Sequence, residues 1–321
     1  MTEDIDEILR RLMSHMRSVI TAEVYERVST IPMLAHYTSL EAFRSMLRSR
    51  EFWFSRIRDT NDTSEAIEGG RIVSKALEKY GPETFQDYAN LNALGQFEAQ
   101  QQEIQKATYI FSLCEHGSDN RTDRLVMWQA YGHNGHGLCL VMRKDTLLGQ
   151  KAEGRFPVGW CPIEYNDETQ MSERVHRRLQ QVRNVLESVP KGAPLAPDDL
   201  GKFVTRSLVQ LVLSHKNPAF EHEREVRFVR SRLLQNLALP QGVEYRQVTI
   251  SGQPRSKFVL HLREYPEFPI DASPPALLDH IIVGPSEHQE RLCREVEALL
   301  IEHHLESVRI VRSKIPYRPK H

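Results

Sequence analysis

The sequence is poor in everything that would fix a compartment or a partner in advance. Four cysteines in 321 residues, Cys114, Cys139, Cys161 and Cys293, show no CxxC spacing. That excludes a disulfide framework, and buried thiols of a reducing cytosol are expected instead. There is no charge excess: the formal net charge is -1, so no global field draws nucleic acid or an anionic membrane. No apolar run is long enough to span a bilayer. The opening MTEDIDEILRRLMSHMRSVI is acidic and amphipathic where a secretory leader is basic and then apolar, so a cytoplasmic protein is expected. A P-loop GK[ST] and a GxSxG elbow are missing, and the glycines of GHNGHG (132–137) run in the reverse spacing of a dinucleotide fingerprint. The 14 histidines pair closely only at His133 with His136 and His303 with His304, and Cys114 lies near His116. No second half completes a zinc set, so no metal is expected.

What is present reads as one α+β domain. Residues 3–28 place Ile5, Ile8, Leu9, Leu12, Met16, Val19 and Ile20 on a helical stripe, so residues 1–30 form an amphipathic helix. Its apolar face offers a surface to a second copy of the chain. Residues 31–321 then form the domain. MLAHYT and EFWFS are strands on either side of a helix LEAFRSMLRS capped by Ser39. Residues 64–107 turn polar and Gln-rich, a helical insertion expected at the surface for much of its length. A second insertion, 169–215, is broken by the prolines of VPKGAPLAPDD. Strands are expected at TYIFSLC, GLCLVM, WCPIEY, EVRFV, EYRQVTI, KFVLHL and HIIVG, then a helix EHQERLCREVEALLIEHH and a strand VRIVR.

One stretch breaks the usual pattern. EHEREVRF, residues 221–228, read as a strand puts Glu221, Glu223, Glu225 and Arg227 on one face and His222, Arg224, Val226 and Phe228 on the other. Two readings stand: carboxylates aimed into a cleft, or a solvated edge-strand face with salt bridges of little worth. A similar pair of readings applies to His36 and Thr38. On one strand face both can donate to ribose oxygens, yet a satisfied core histidine beside an ordinary packed Tyr37 fits equally. Asn61, Asp62 and Glu65, entering a helix, can bind a ligand or cap that helix.

The series HYTSLEAF, FWFSRIRDTND with Glu65, FSLCE, MWQAYGHNGHGLCLVM, FEHEREVR and IIVGP closely resembles the bacterial DUF2971 family, a family named as a domain of unknown function. That family shows a YHYTS opening, an LWFS strand with FND and a following Glu, and a CFS strand. A W-x-x-YG helix leading to G-x-C, an E-x-E-x-R strand and an IIIGP strand complete it. The likeness runs from Leu34 to about Pro285. It departs at Thr60, where FND has an aromatic, and at Val226, where Trp often stands.

DUF2971 in turn is distantly similar to the ADP-ribosyltransferase superfamily. The resemblance implies a single α+β domain around a central split sheet, mixed and largely antiparallel, with helical insertions. It implies NAD as substrate, held by His36 with Thr38, Ser55 as the middle residue, and Glu225 on the ribose hydroxyl. Glu223 is then expected to deprotonate or orient an acceptor, Arg227 to neutralise the pair or bind pyrophosphate, and Tyr37, Trp128 and Tyr131 to stack. Breaking the nicotinamide–ribose bond passes through an oxocarbenium-like state that a nearby carboxylate stabilises selectively. Nicotinamide leaves without a general acid.

Three functions follow from this. The first is an ADP-ribosyltransferase-like enzyme acting on a protein or nucleic acid, in a toxin or phage-defence role. The second is a non-catalytic sensor of a nucleotide or nucleic-acid end, motivated by helical blocks that a minimal transferase does not need. The third is phosphate transfer from an RNA end to NAD, ranked last because the extra basic residues it uses are not evident.

Overall fold

A computed structural model describes residues 5–60, 63–88, 91–117, 123–148, 158–188, 196–232, 243–250, 252–262 and 274–316. Its first half runs α1 (Ile5–Ser29), β1 (Met33–Thr38), α2 (Leu40–Ser49), β2 (Glu51–Arg56), α3 (Thr63–Thr84), α4 (Ala93–Ala107), β3 (Thr108–His116), α5 (Leu125–Ala130), β4 (Leu138–Arg143) and α6 (Lys144–Leu148). There follow β5 (Gly159–Pro162), β6 (Glu164–Tyr165), α7 (Glu168–Glu187), α8 (Pro197–Ser214), β7 (His215–Lys216) and β8 (Glu225–Ser231). The chain closes with β9 (Val243–Ile250), β10 (Gln253–His261), α9 (Pro274–Leu277), β11 (Leu278–Val283), α10 (Gln289–Glu302) and β12 (Arg309–Arg312). Among the described residues, no helix is long and apolar enough to cross a membrane.

Local chemistry sets many of these boundaries. The Ser39 hydroxyl accepts from the Ala42 N–H at 3.1 Å, which starts α2 where the cap residue predicts. Asp167 and Gln170 form a reciprocal capping box at the head of α7. Pro197 opens α8 at the position where a missing N–H costs nothing.

The central sheet is mixed: its path is β12-β11-β4-β1-β3-β2-β10-β9, with β8 on β3 and β5 on β8. All its pairs are antiparallel except β11 with β12, which the crossover helix α10 joins in parallel. The sheet is also split. β8 runs along one edge of β3 from Thr108 to Cys114, so the opposite edge is shared by two strands. β2 takes Tyr109 and Ile110, and β1 takes Cys114 to His116. Phe111, Ser112 and Leu113 therefore face neither strand, and Ser112 is exposed in the middle of a ten-stranded sheet.

Three apolar clusters cover the faces. On one face Ile110, Cys161 and Val229 lie under α1, α3, α4, α7 and α8. The other face packs Phe52, Phe54, Phe111, Phe228 and Phe258 beneath α2 and α10. A smaller cluster joins Ala35, Tyr37, Cys139 and Val141 to Met127 and Trp128 of α5. Side-chain alternation along β3 puts this third cluster on the same face as the first.

Two expectations change here. The first helical insertion does more than ride on the surface: Ile72, Val73, Leu77, Phe97 and Ile104 are buried with α7 and α8 in a shared core. The Gln-rich sequence hides this because a narrow apolar stripe is enough for a helix packed on one side. Likewise the stripe of α1 is covered inside the chain. Ile8, Leu12 and Met16 are buried in that core, and Glu23 meets Arg178 and Gln181 of α7, the latter at 2.8 Å.

GHNGHG has a packing role. Gly284 donates its N–H to the Gly137 carbonyl at 3.0 Å, and a Cβ at 284 would sit 2.3 Å from the Gly135 carbonyl oxygen. A Cβ at 137 would sit 2.4 Å from the Thr38 carbonyl oxygen. These glycines let backbone touch backbone. Gly284→Ala and Gly137→Ala are each expected to lose about 1–3 kcal/mol of stability through overpacking, read as an earlier urea midpoint at unchanged slope.

Candidate functional site

The split opens onto a cavity of about 220 Å³. β1 brings His36 and Tyr37, β3 brings Ser112 and Cys114, and the end of α5 brings Tyr131. Lys216, Glu223 and Glu225 form its charged wall. Pairing explains the geometry: Ser112 lies opposite Arg227 and Cys114 opposite Glu225 on the face between the first and third clusters.

The stretch 221–228 is not extended throughout, which corrects the strand reading. Pro218–Glu223 forms a short 3-10 helix of six residues, capped by the Asn217 side chain accepting from Ala219 N–H at 3.0 Å. Arg224 then adopts φ 44°, a left-handed conformation, and only Glu225–Ser231 is strand. Glu221, His222 and Arg224 are exposed. Glu223 and Glu225 still reach the same cavity, one from the 3-10 helix and one from the strand. β8 is no solvated edge either: it lies between β3 and β5 and is buried along its whole length.

Five charges interlock there. The Lys216 ammonium donates to Glu223 Oε2 at 2.7 Å and Glu225 Oε2 at 3.0 Å, and pairs with Glu65 Oε1 at 3.2 Å. Arg227 grips Glu225 with Nε at 2.8 Å and Nη2 at 2.9 Å, and Nη2 also meets Glu65 Oε2 at 2.8 Å. Its Nη1 donates to the Leu213 carbonyl at 3.1 Å. The Tyr131 hydroxyl donates to Glu223 Oε1 at 2.9 Å, and the Glu225 N–H donates to Tyr165 Oη at 2.6 Å. Three carboxylates against two cations leave one formal negative charge.

Protonation states follow from these contacts. Burial pushes the Glu225 carboxyl up, but Arg227, Lys216 and the Ser112 hydroxyl outweigh it and hold the pKa at about 2. Burial lowers the Lys216 pKa, and the three carboxylates more than reverse that, so it stays an ammonium. Burial and the Glu223 charge raise the Tyr131 phenol, which remains a donor. Burial pushes the Cys114 thiol up to about 12, which removes it as a nucleophile. His36 stacks on Phe111 and its Nδ1 lies 3.0 Å from the Ser112 carbonyl. A carbonyl only accepts, so Nδ1 carries the proton. Burial lowers the ring's pKa, so Nε2 is a lone-pair acceptor rather than the expected donor.

Of the sequence-predicted residues, His36, Tyr37, Tyr131, Glu223 and Glu225 meet at the cavity, with Arg227 directly behind Glu225. Trp128 does not line it. Its indole donates to Asp123 at 2.6 Å and its ring supports Tyr37 edge-on at 4.9 Å. Thr38 is buried on β1 outside the lining, and Ser55 is taken up by Lys257 at 2.7 Å. The strand hydroxyl at the site is Ser112, within FSLCE, instead of Ser55. Asn61 and Asp62 lie outside the described residues. Lys216 was missed, since a lone lysine after a helix carries no pattern. Among the described residues one trio could offer metal ligands, Glu51, Glu244 and His261 on β2, β9 and β10. Arg246 already bridges both of its carboxylates.

Residues 127–228 match the family model DUF2971, described as a protein of unknown function. The matched segment contains Tyr131, Lys216, Glu223, Glu225 and Arg227, while His36 and Glu65 lie before it. No curated protein and no solved structure matches the chain.

Glu225 binds its proton later in the folded chain, at about 2 against an ordinary 4.5. Its contribution is therefore complete above pH 4.5 and is lost as pH falls toward 2. Denaturant unfolding across that window should show stability falling with acid, and Glu225→Gln should flatten that part of the slope. Lys216→Met leaves Glu223 without a cation and Glu65 and Glu225 with Arg227 alone, and is expected to cost about 3–5 kcal/mol at neutral pH, with a smaller loss in acid.

Proposed function

We propose that the cavity is the catalytic centre of an ADP-ribosyltransferase-like enzyme that takes the nicotinamide-ribosyl end of NAD and passes ADP-ribose to a protein or nucleic acid, in a toxin or phage-defence setting. The observation that carries this reading is the convergence of Glu223, Glu225, His36, Tyr37 and Tyr131 on one sugar-sized cavity at the sheet split. These residues come from β1, α5, a 3-10 helix and β8, and nothing in ordinary packing requires them to meet. At about 220 Å³ the cavity is smaller than the roughly 300–1,000 Å³ that encloses a whole drug-sized ligand. It suits one end of a dinucleotide, with the remainder outside.

The chemistry uses what the cavity offers. The C1′–nitrogen bond breaks, and its electron pair goes to the pyridinium nitrogen, so nicotinamide leaves neutral. Positive charge spreads over C1′ and the ring oxygen, facing a wall with one excess negative charge. The acceptor's nucleophile gives an electron pair to C1′ and releases its proton to solvent. Carboxylates already fixed by Lys216 and Arg227 need no reorganisation as charge develops. Neutral His36 can accept a ribosyl hydroxyl at Nε2.

A second reading, a non-catalytic nucleotide sensor on the same cavity, is favoured by one observation. Every carboxylate oxygen of Glu65, Glu223 and Glu225 already has a donor.

Purified protein incubated with NAD should release nicotinamide, and Glu225→Gln or Glu223→Gln should lower turnover by about 10²–10³-fold. Calorimetric NAD binding with no nicotinamide released moves the assignment to the sensor. A Glu225→Gln enzyme with undiminished turnover removes that carboxylate from the chemistry.

A further inference from the structure

The six carboxylate oxygens in the cluster are not equivalent. Five are held by cations: Glu65 and Glu225 through both oxygens by Lys216 and Arg227, and Glu223 through Oε2 by Lys216. Those cations are buried, with 2% and 1% of their side chains exposed. The sixth, Glu223 Oε1, is met among the described residues by one neutral donor, the Tyr131 hydroxyl at 2.9 Å. Tyr131 is 47% exposed and lines the cavity.

A ligand hydroxyl that bonded Glu225 in place of a cation would leave a buried charge uncompensated, which is strongly unfavourable. A hydroxyl that bonds Glu223 Oε1 replaces one neutral O–H donor by another, and the phenol moves into solvent, so the ligand gives up one hydrogen bond to gain one and no charge is left uncompensated. The backbone agrees with this asymmetry. Glu225 is fixed within β8, its N–H held by Tyr165, whereas Glu223 ends a 3-10 helix closed by left-handed Arg224. A non-glycine residue in that region stores strain, and such strain gathers at ligand sites.

We propose that Glu223 Oε1 is the atom that meets the ligand, taking a ribosyl hydroxyl in place of the Tyr131 hydroxyl, and that Glu225 is the positioning carboxylate behind it. This rests on the glycosyl-transfer reading and moves to Glu223 the ribosyl contact that the family likeness assigns to Glu225. Glu223 is then the catalytic residue of the pair. Tyr131 is a displaceable plug that keeps its oxygen hydrogen-bonded in the empty site.

The test measures NAD and ADP-ribose binding by calorimetry, and nicotinamide release, on wild type, Tyr131→Phe, Glu223→Gln and Glu225→Gln, each checked for folding by circular dichroism. Tyr131→Phe removes only the competing hydroxyl from a half-exposed ring, so both probes should bind about tenfold tighter, the factor such a bond to a charged acceptor is worth. Glu223→Gln should lose that gain when combined with Tyr131→Phe. Weaker or unchanged binding by a folded Tyr131→Phe overturns the proposal. Turnover that depends on Glu225 and ignores Glu223 overturns it while leaving the glycosyl-transfer reading standing. Binding that follows the Tyr131–Glu223 pattern with no nicotinamide released supports the proposed contact and overturns the chemistry. Failure of both probes to bind any folded variant overturns both.

Discussion

One ammonium group holds this site together. Lys216 sits on a two-residue strand and touches carboxylates from α3, from a 3-10 helix and from β8. Burying five ionised groups costs several kcal/mol per ion before their mutual attraction repays it. Apolar side chains would hold these elements together at least as well. A network of this kind beside a cavity therefore reads as a site, because strongly perturbed ionisable groups gather where chemistry is done. Arg227 repeats the arrangement one layer deeper and ties Glu225 to the end of α8 through the Leu213 carbonyl.

The fold was legible wherever periodicity or a cap carries information. α1, α2 with its Ser39 cap, the aromatic strands and the two helical blocks all lie where hydrophobic spacing puts them. The site was legible in part. His36 and Glu225 announce themselves through motifs, but the left-handed Arg224 has no signature, since residue type gives no sign of positive φ outside Gly, Asn and Asp. Ser55 and Ser112 both lie in aromatic strands, and only the pairing register of β3 decides which hydroxyl meets Glu225. The tautomer of His36 likewise depends on a carbonyl 76 residues away that sequence cannot locate.

The motifs that carry the resemblance to DUF2971 fall along one seam. The W-x-x-YG element supplies Tyr131 to the cavity and Trp128 beneath Tyr37. Gly135 and Gly137 of the GHNGHG stretch that follows then meet Gly284 of IIVGP backbone to backbone, which fixes the loop between α5 and β4. FSLCE and EREVR are adjacent strands, β3 and β8. A family pattern that looks scattered in sequence is thus a single strip across the sheet, part packing and part chemistry.

The position of β8 also bears on how the chain assembles. β3 is complete at His116, yet the strand that covers its long edge begins at Glu225, after α7 and α8. During synthesis from the ribosome, more than a hundred residues emerge while that edge stays open. An unpaired hydrophobic strand edge is a template for wrong partners. Arrival of β8 closes the edge and delivers Glu225 and Arg227 in the same step. Formation of the site and protection of the newborn chain from aggregation are therefore one event.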